Sequence, residues 1–426
     1  MDQGNTAFLL LAAALVLLMT PGLAFFYGGL VKAKSVISMM MMSFGAIGLI
    51  GVLWAIYGYA IAFPTIEGTA GLPWLFDGSN FLLEAATADA SAPAGAYPTL
   101  AFVAFQATFA IITVALISGA IADRAKFGAW LIFAGVWATV VYFPVASWVF
   151  NFGLNEDLTF SYGGWLTHGL QESVFGTGLI DFAGGTAVHI NAGAAALALA
   201  LVLGKRVGFS KGAHVPHNPP FVLLGAGLLW FGWFGFNAGS ELAADGTAAV
   251  AFVNTIIAPA AALLGWLIVE KVKDGKPTSV GAASGAVAGL VAITPACAAL
   301  TPGFAILLGL VAGAVCALAI ELKFKLGFDD SLDVVGIHLV GGLIGTLYLG
   351  FFANTTGLFY SGSLNQLAVQ AIAALAVMIY SFVLAFVIGF VIEKTIGFRV
   401  KNEDEIAGID TVVHGEEGYV LADTKA

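Results

Sequence analysis

Eleven stretches of about 20 mostly apolar residues punctuate this chain, at 7–30, 37–63, 99–121, 127–150, 179–203, 220–238, 248–269, 279–297, 303–321, 333–353 and 367–393. Each is long enough to cross the roughly 30 Å hydrocarbon core of a bilayer as a helix rising 1.5 Å per residue. Lipid offers no partner to an open backbone, so a run of this kind is a helix. The fold class that follows is an all-α polytopic membrane protein with eleven transmembrane helices. Composition agrees, with 60% hydrophobic and 10% charged residues. Such a chain is no soluble, disordered or nucleic-acid-binding protein. The first lysine is Lys32, so no basic residue precedes the first stretch, which reads as a membrane helix rather than a signal peptide.

All 16 Lys and Arg fall after odd-numbered stretches, from Lys32 and Lys34 to Lys211 and Lys425. They therefore lie on one side, which the positive-inside rule makes cytoplasmic, with the N-terminus outside and the C-terminus inside. The outer face carries ten acids and no basic residue. Two readings of those acids stand: soluble loops, or a vestibule that concentrates cations. Stretch 5 opens Asp181-Phe-Ala-Gly-Gly-Thr-Ala-Val-His189, and stretch 10 opens Asp333-Val-Val-Gly-Ile-His338. Gly184 and Gly336 each follow the Asp by three residues. Two sets of five helices with opposite orientation make an inverted repeat, with halves at about 7–203 and 220–353 and helix 11 at about 367–393 as an addition. Residues 1–396 form the membrane domain, and the polar tail 397–426 follows it.

Asp181 and Asp333 sit at the boundaries of apolar runs. As helix N-caps they are structural; as membrane carboxylates they attract cations or handle protons. His189 and His338 lie about 12 Å and 7.5 Å into their helices from opposite sides, so their depths converge. Two facing imidazoles share one N–H···N bond with complementary tautomers. The pair is then either a satisfied structural contact or the polar lining of an apolar conduit. Phe105 and Phe109 share a helix face, and stretch 6 ends Trp233-Phe-Gly-Phe236-Asn-Ala-Gly-Ser240. Aromatic faces with a hydroxyl suit a small cation, although core packing is the ordinary role of such rings. Gly281, Gly285 and Gly289, and Gly341 and Gly345, form GxxxG units for close helix packing. Cys297 and Cys316 have no metal-ligand spacing, no third ligand accompanies the histidines, and no cofactor motif appears. His168, His214 and His217 belong to loops. No nucleophile-base set supports an enzyme.

Several of these runs resemble the ammonium transporter/methylammonium permease/Rhesus family. They are Asp181–Asn191, Gly232–Ser240, Gly204-Lys-Arg-Val-Gly208, Pro216-His-Asn218, Thr294-Pro-Ala-Cys297 and Asp333–His338. The chain is most similar to the bacterial or archaeal ammonium transporter branch. The resemblance implies a homotrimer in the cell membrane, each subunit with its own pore for ammonium, ammonia or methylammonium. It implies outer recruitment at Phe105 and Ser240 with Asp181 indispensable nearby, a gate at Phe109 and Phe236, and a pore lined by Trp233, His189 and His338. The family's Trp at the outer end of helix 4 is matched here by Phe150, with Trp148 and Trp165 close by. Gly408-Ile-Asp410 and His414-Gly415-Glu416 resemble a regulatory tail on which a PII-type signal protein docks; a solvated tail is the other reading. Ammonium transport with proton cotransport, an ammonia gas channel and an ammonium sensor all remain open at this point.

Overall fold

The computed structural model describes residues 2–66, 74–88, 97–152, 163–209 and 215–419. Lys211, His214, Lys425, four of the outer acids and the last residues of the tail lie outside the described residues. Among the described residues there is no strand, only one isolated bridge between Ala125 and Arg399. Ten helices are long and apolar enough to cross a membrane. They are α1 (Gln3–Leu30), α2 (Ala33–Ala62), α3 (Thr99–Ile121), α4 (Phe127–Phe150), α5 (Gly185–Leu203), α6 (Pro219–Glu241), α7 (Gly246–Lys273), α9 (Pro302–Leu326), α10 (Val335–Phe352) and α11 (Asn365–Thr395). The eighth apolar stretch forms a shorter helix, α8 (Ser279–Ile293), because the chain turns at Thr294-Pro295. Large apolar side chains such as Leu17, Phe44, Ile268 and Val383 are exposed on these helices, the surface expected toward hydrocarbon.

The helices pack through small residues. A Cβ placed on Gly309 or Gly313 of α9 would lie 2.1 Å from Ala258 O or 2.0 Å from Ala262 O of α7. Gly285 and Gly289 of α8 also approach α7, meeting Trp266, Ala262 and Pro259 at short range. Backbone touches backbone here, and dispersion over that contact substitutes for the hydrophobic drive that lipid cannot give. Pro259 stays inside α7 without ending it.

Polar residues cluster at the face bearing the basic residues. Arg206 donates Nε and Nη2 to the Asp329 carboxylate at 3.0–3.2 Å and Nη1 to Asp123 at 3.1 Å. That paired guanidinium holds the Asp329 carboxyl below the usual range despite burial. Tail and loops meet there too. Arg399 pairs with Glu405 at 2.7 Å, and Asp410 accepts the N–H groups of Ile37 and Ser38 at 3.0 and 2.7 Å. His217 Nε2 and the Tyr419 hydroxyl lie 2.7 Å apart. The described part of the tail is thus anchored to the membrane domain at Asp410 and Tyr419, while residues such as Glu403, Ile406 and Glu416 stay exposed.

Candidate functional site

The two histidines meet. His189 Nδ1 and His338 Nδ1 are 3.1 Å apart, with rings 5.3 Å between centroids and 23° between planes. One ring must donate and the other accept, so their tautomers are complementary and at least one ring is neutral. When both rings are neutral, the donor ring carries a bare Nε2 and the acceptor ring an Nε2–H. Both rings are buried, and His189 Nε2 has no hydrogen-bond partner among the described residues. Beside them lies a narrow cavity of about 10 Å³, lined by apolar side chains including Leu23, Phe26, Val188 and Leu229. That is room for roughly one water-sized guest.

A column of rings continues from His189. Trp233 stacks on it at 5.6 Å and 20°, its Nε1 donating to Thr294 Oγ1 at 2.9 Å. Phe236 lies 6.1 Å from His189 and stacks on Phe109 at 4.2 Å and 18°. Phe105 follows at 4.8 Å from Phe109. Phe109 and Phe236 therefore close the column between the histidines and Phe105. Ser240 ends α6, its hydroxyl donating to Phe236 O at 2.8 Å and leaving its oxygen lone pairs available. Phe150 presents its ring edge to Phe109 at 6.2 Å, whereas Trp148 packs on Trp165 and on Tyr380 of α11. Position 150, not 148, holds the aromatic group in this column.

Asp181 does not begin α5 itself. Its Oδ1 accepts the N–H groups of Gly184 and Gly185 at 2.9 and 2.6 Å, and Oδ2 those of Thr186 and Ala187 at 2.8 and 3.0 Å. Four orphan donors at a helix start converge on one carboxylate. The turn requires Gly184 at φ +118°, where a Cβ would also strike Val188 at 2.5 Å.

Asp333 departs from its expected capping role. Its carboxylate pairs with Lys323 at 2.5 Å, and the first free N–H of α10, that of Val335, goes to Asp330 Oδ2 at 2.7 Å. Asp333 has φ +63°, the place of Gly184 in the other half. The repeat thus runs at a constant offset: Asp181 with Asp330, Gly184 with Asp333, His189 with His338. Both histidines lie in π-helical turns, Gly185–Ile190 and Val335–Leu339. Such turns are frequent at functional sites. The contacts are reciprocal, since Gly193 meets Leu339 while Gly342 meets Ile190, each the offset image of the other. A two-fold relation between the halves has this signature. Asp330 escaped the sequence reading because the halves were aligned on Gly184 and Gly336; the eight-residue spacing from Asp to His marks it.

Helices, small-residue contacts and a buried polar column together define a multi-pass helical membrane protein. The chain belongs to the Ammonium Transporter Family, whose profile matches residues 7–419. An ammonium transporter of Mycobacterium bovis is 55% identical, covering 99% of this chain and 91% of that one. Among solved structures, one titled "Sensor Amt Protein" matches with TM-score 0.85 and 28% identity over 96% of this chain and 98% of the other. Candida albicans Mep2 matches with TM-score 0.82 and 30% identity over 95% and 88%. Bacterial and archaeal ammonium transporters are among the relatives.

Proposed function

We propose that the protein carries ammonium into the cell across the cell membrane, with its N-terminus outside. Ammonium is recruited beside Phe105, Phe150 and Ser240, with the Asp181 carboxylate supplying negative field. It gives up its proton before the Phe109–Phe236 stack, because moving a bare ion through an apolar conduit is expensive. Ammonia then passes His189 and His338. The proton crosses as well, making transport electrogenic. The observation that carries this reading is the histidine pair itself, two buried rings with Nδ1 atoms 3.1 Å apart beside a cavity for a single small guest; with both neutral, one presents a bare Nε2 and the other an Nε2–H. Ammonia, with one lone pair and three N–H groups, matches both. The halves form an inverted repeat, which the reciprocal contacts support.

Purified protein in liposomes, read for current and internal pH together, tests the proposal. An ammonium-evoked current is the expected result. Internal alkalinisation with no current would leave the gas-channel reading, and no ammonium flux would end both. A sensing role is the second reading, favoured by the likeness to the sensor Amt structure. We further propose a homotrimer that binds a PII-type signal protein on the face built by loops and tail; sizing with and without such a protein checks this.

A further inference from the structure

Residues 177–180 lead to Asp181 outside any helix. In a membrane protein each backbone group of such a segment needs a partner. Two fully buried glutamines, one turn apart on α11, supply them. The Ile180 N–H donates to Gln370 Oε1 at 2.9 Å, and Gln370 Nε2 donates to Ile180 O at 2.8 Å. This two-way bond is what a neighbouring β-strand offers a residue. Gln370 Nε2 also reaches Thr346 O on α10 at 3.1 Å. Gln366 Nε2 donates to Gly178 O at 3.1 Å and to Gln370 Oε1 at 3.0 Å, and the Thr177 hydroxyl donates to Gln366 Oε1 at 2.8 Å.

We propose that Gln370, braced by Gln366, is a positioning residue for Asp181; the inference rests on the transport reading above. Ile180 O belongs to the peptide plane that joins Ile180 to Asp181, so Gln370 fixes the plane from which the carboxylate hangs. The repeat offers an independent observation. The offset image of Ile180 is Asp329, and Asp329 O accepts Arg124 Nη2 at 2.6 Å. In both halves a buried side chain grips the carbonyl just before the repeated aspartate. A guanidinium does so at the Asp330 end. A neutral amide does so at the Asp181 end, where a fixed positive charge would oppose the cation that Asp181 attracts.

The test compares Q370M and Q366M, which keep side-chain volume and remove the polar atoms, with S381A. Ser381 lies on the same helix and binds Asn191 O at 2.7 Å, remote from residues 177–180. Concentration-dependent ammonium uptake is measured in liposomes containing the full chain, alongside melting temperature. Q370M raises KM about tenfold, the scale of a lost buried hydrogen-bond pair, while Vmax changes no more than in S381A and the protein stays folded with a lower melting temperature, as the unpaired Ile180 and Thr346 groups require. Q366M shows the same split more weakly. An unmoved KM in both variants overturns the proposal, as does a loss of folding in both, which would make the pair purely structural. Wild-type protein without saturable ammonium uptake would instead remove the transport reading, and this inference with it.

Discussion

At the scale of single residues, the histidine pair sets the sharpest expectation. His189→Ala removes one partner of a buried hydrogen bond and leaves the other polar, so transport slows by roughly tenfold to a hundredfold. Unchanged uptake and unchanged selectivity over potassium in that variant would make the pair structural. Gly184→Ala places a methyl group in a backbone conformation closed to it and against Val188, so the N–H groups that hold Asp181 lose their geometry. The expected outcome is a drop in melting temperature together with loss of uptake. The histidines were legible from residue type and spacing, because an ionisable side chain within an apolar run stands out, whereas the pairing of Phe109 with Phe236 was implied only by the family resemblance. Asp330 was not legible. Its neighbour Asp333 occupies a left-handed turn that usually announces itself as glycine, and the glycine match at Gly336 drew the alignment three residues out of register.

At the scale of elements, periodic apolar length located nearly every span, and its errors have local causes. α5 starts at Gly185 rather than near 179, since the chain turns at Gly184 to bring the Asp181 carboxylate onto the free N–H groups of the first turn. α8 ends at Ile293, short of the apolar run's end, because Pro295 cannot extend the helix. The GxxxG units of α8 were visible, yet the tighter contact of Gly309 and Gly313 with α7 depends on which face meets which neighbour. Gly313→Leu drives a side chain into Ala262 O and separates α7 from α9. We expect it to lower thermal stability in detergent by about 3 kcal/mol, the upper end of the usual cost of overpacking, checked by a melting curve.

At the scale of the whole molecule, the buried ion cluster ties loops from both halves at the face proposed as cytoplasmic. Asp329→Ala leaves Arg206 underpaired and costs about 3–5 kcal/mol. Asp330 adds a pH dependence of opposite sense to that of Asp329. Burial raises its pKa to about 6, so the native state keeps that proton longer than the unfolded chain, and this group's contribution to stability falls as pH rises from about 4 to 6. Asp329, held low, contributes above about pH 4 and is lost as acid protonates it. Asp330→Asn should match wild type near pH 4 and exceed it by roughly 3 kcal/mol at pH 7, read from melting curves across that range. These couplings join residues 83 to 205 positions apart that no local pattern connects. The paired π turns bear on how the halves tolerate deletions. Each is one residue longer than a plain helical turn needs, so a gene that lost a single codon there would still encode a spanning helix. Its imidazole, swung by about 100° around the axis, would no longer meet the other one, and a well-folded chain would be left mute.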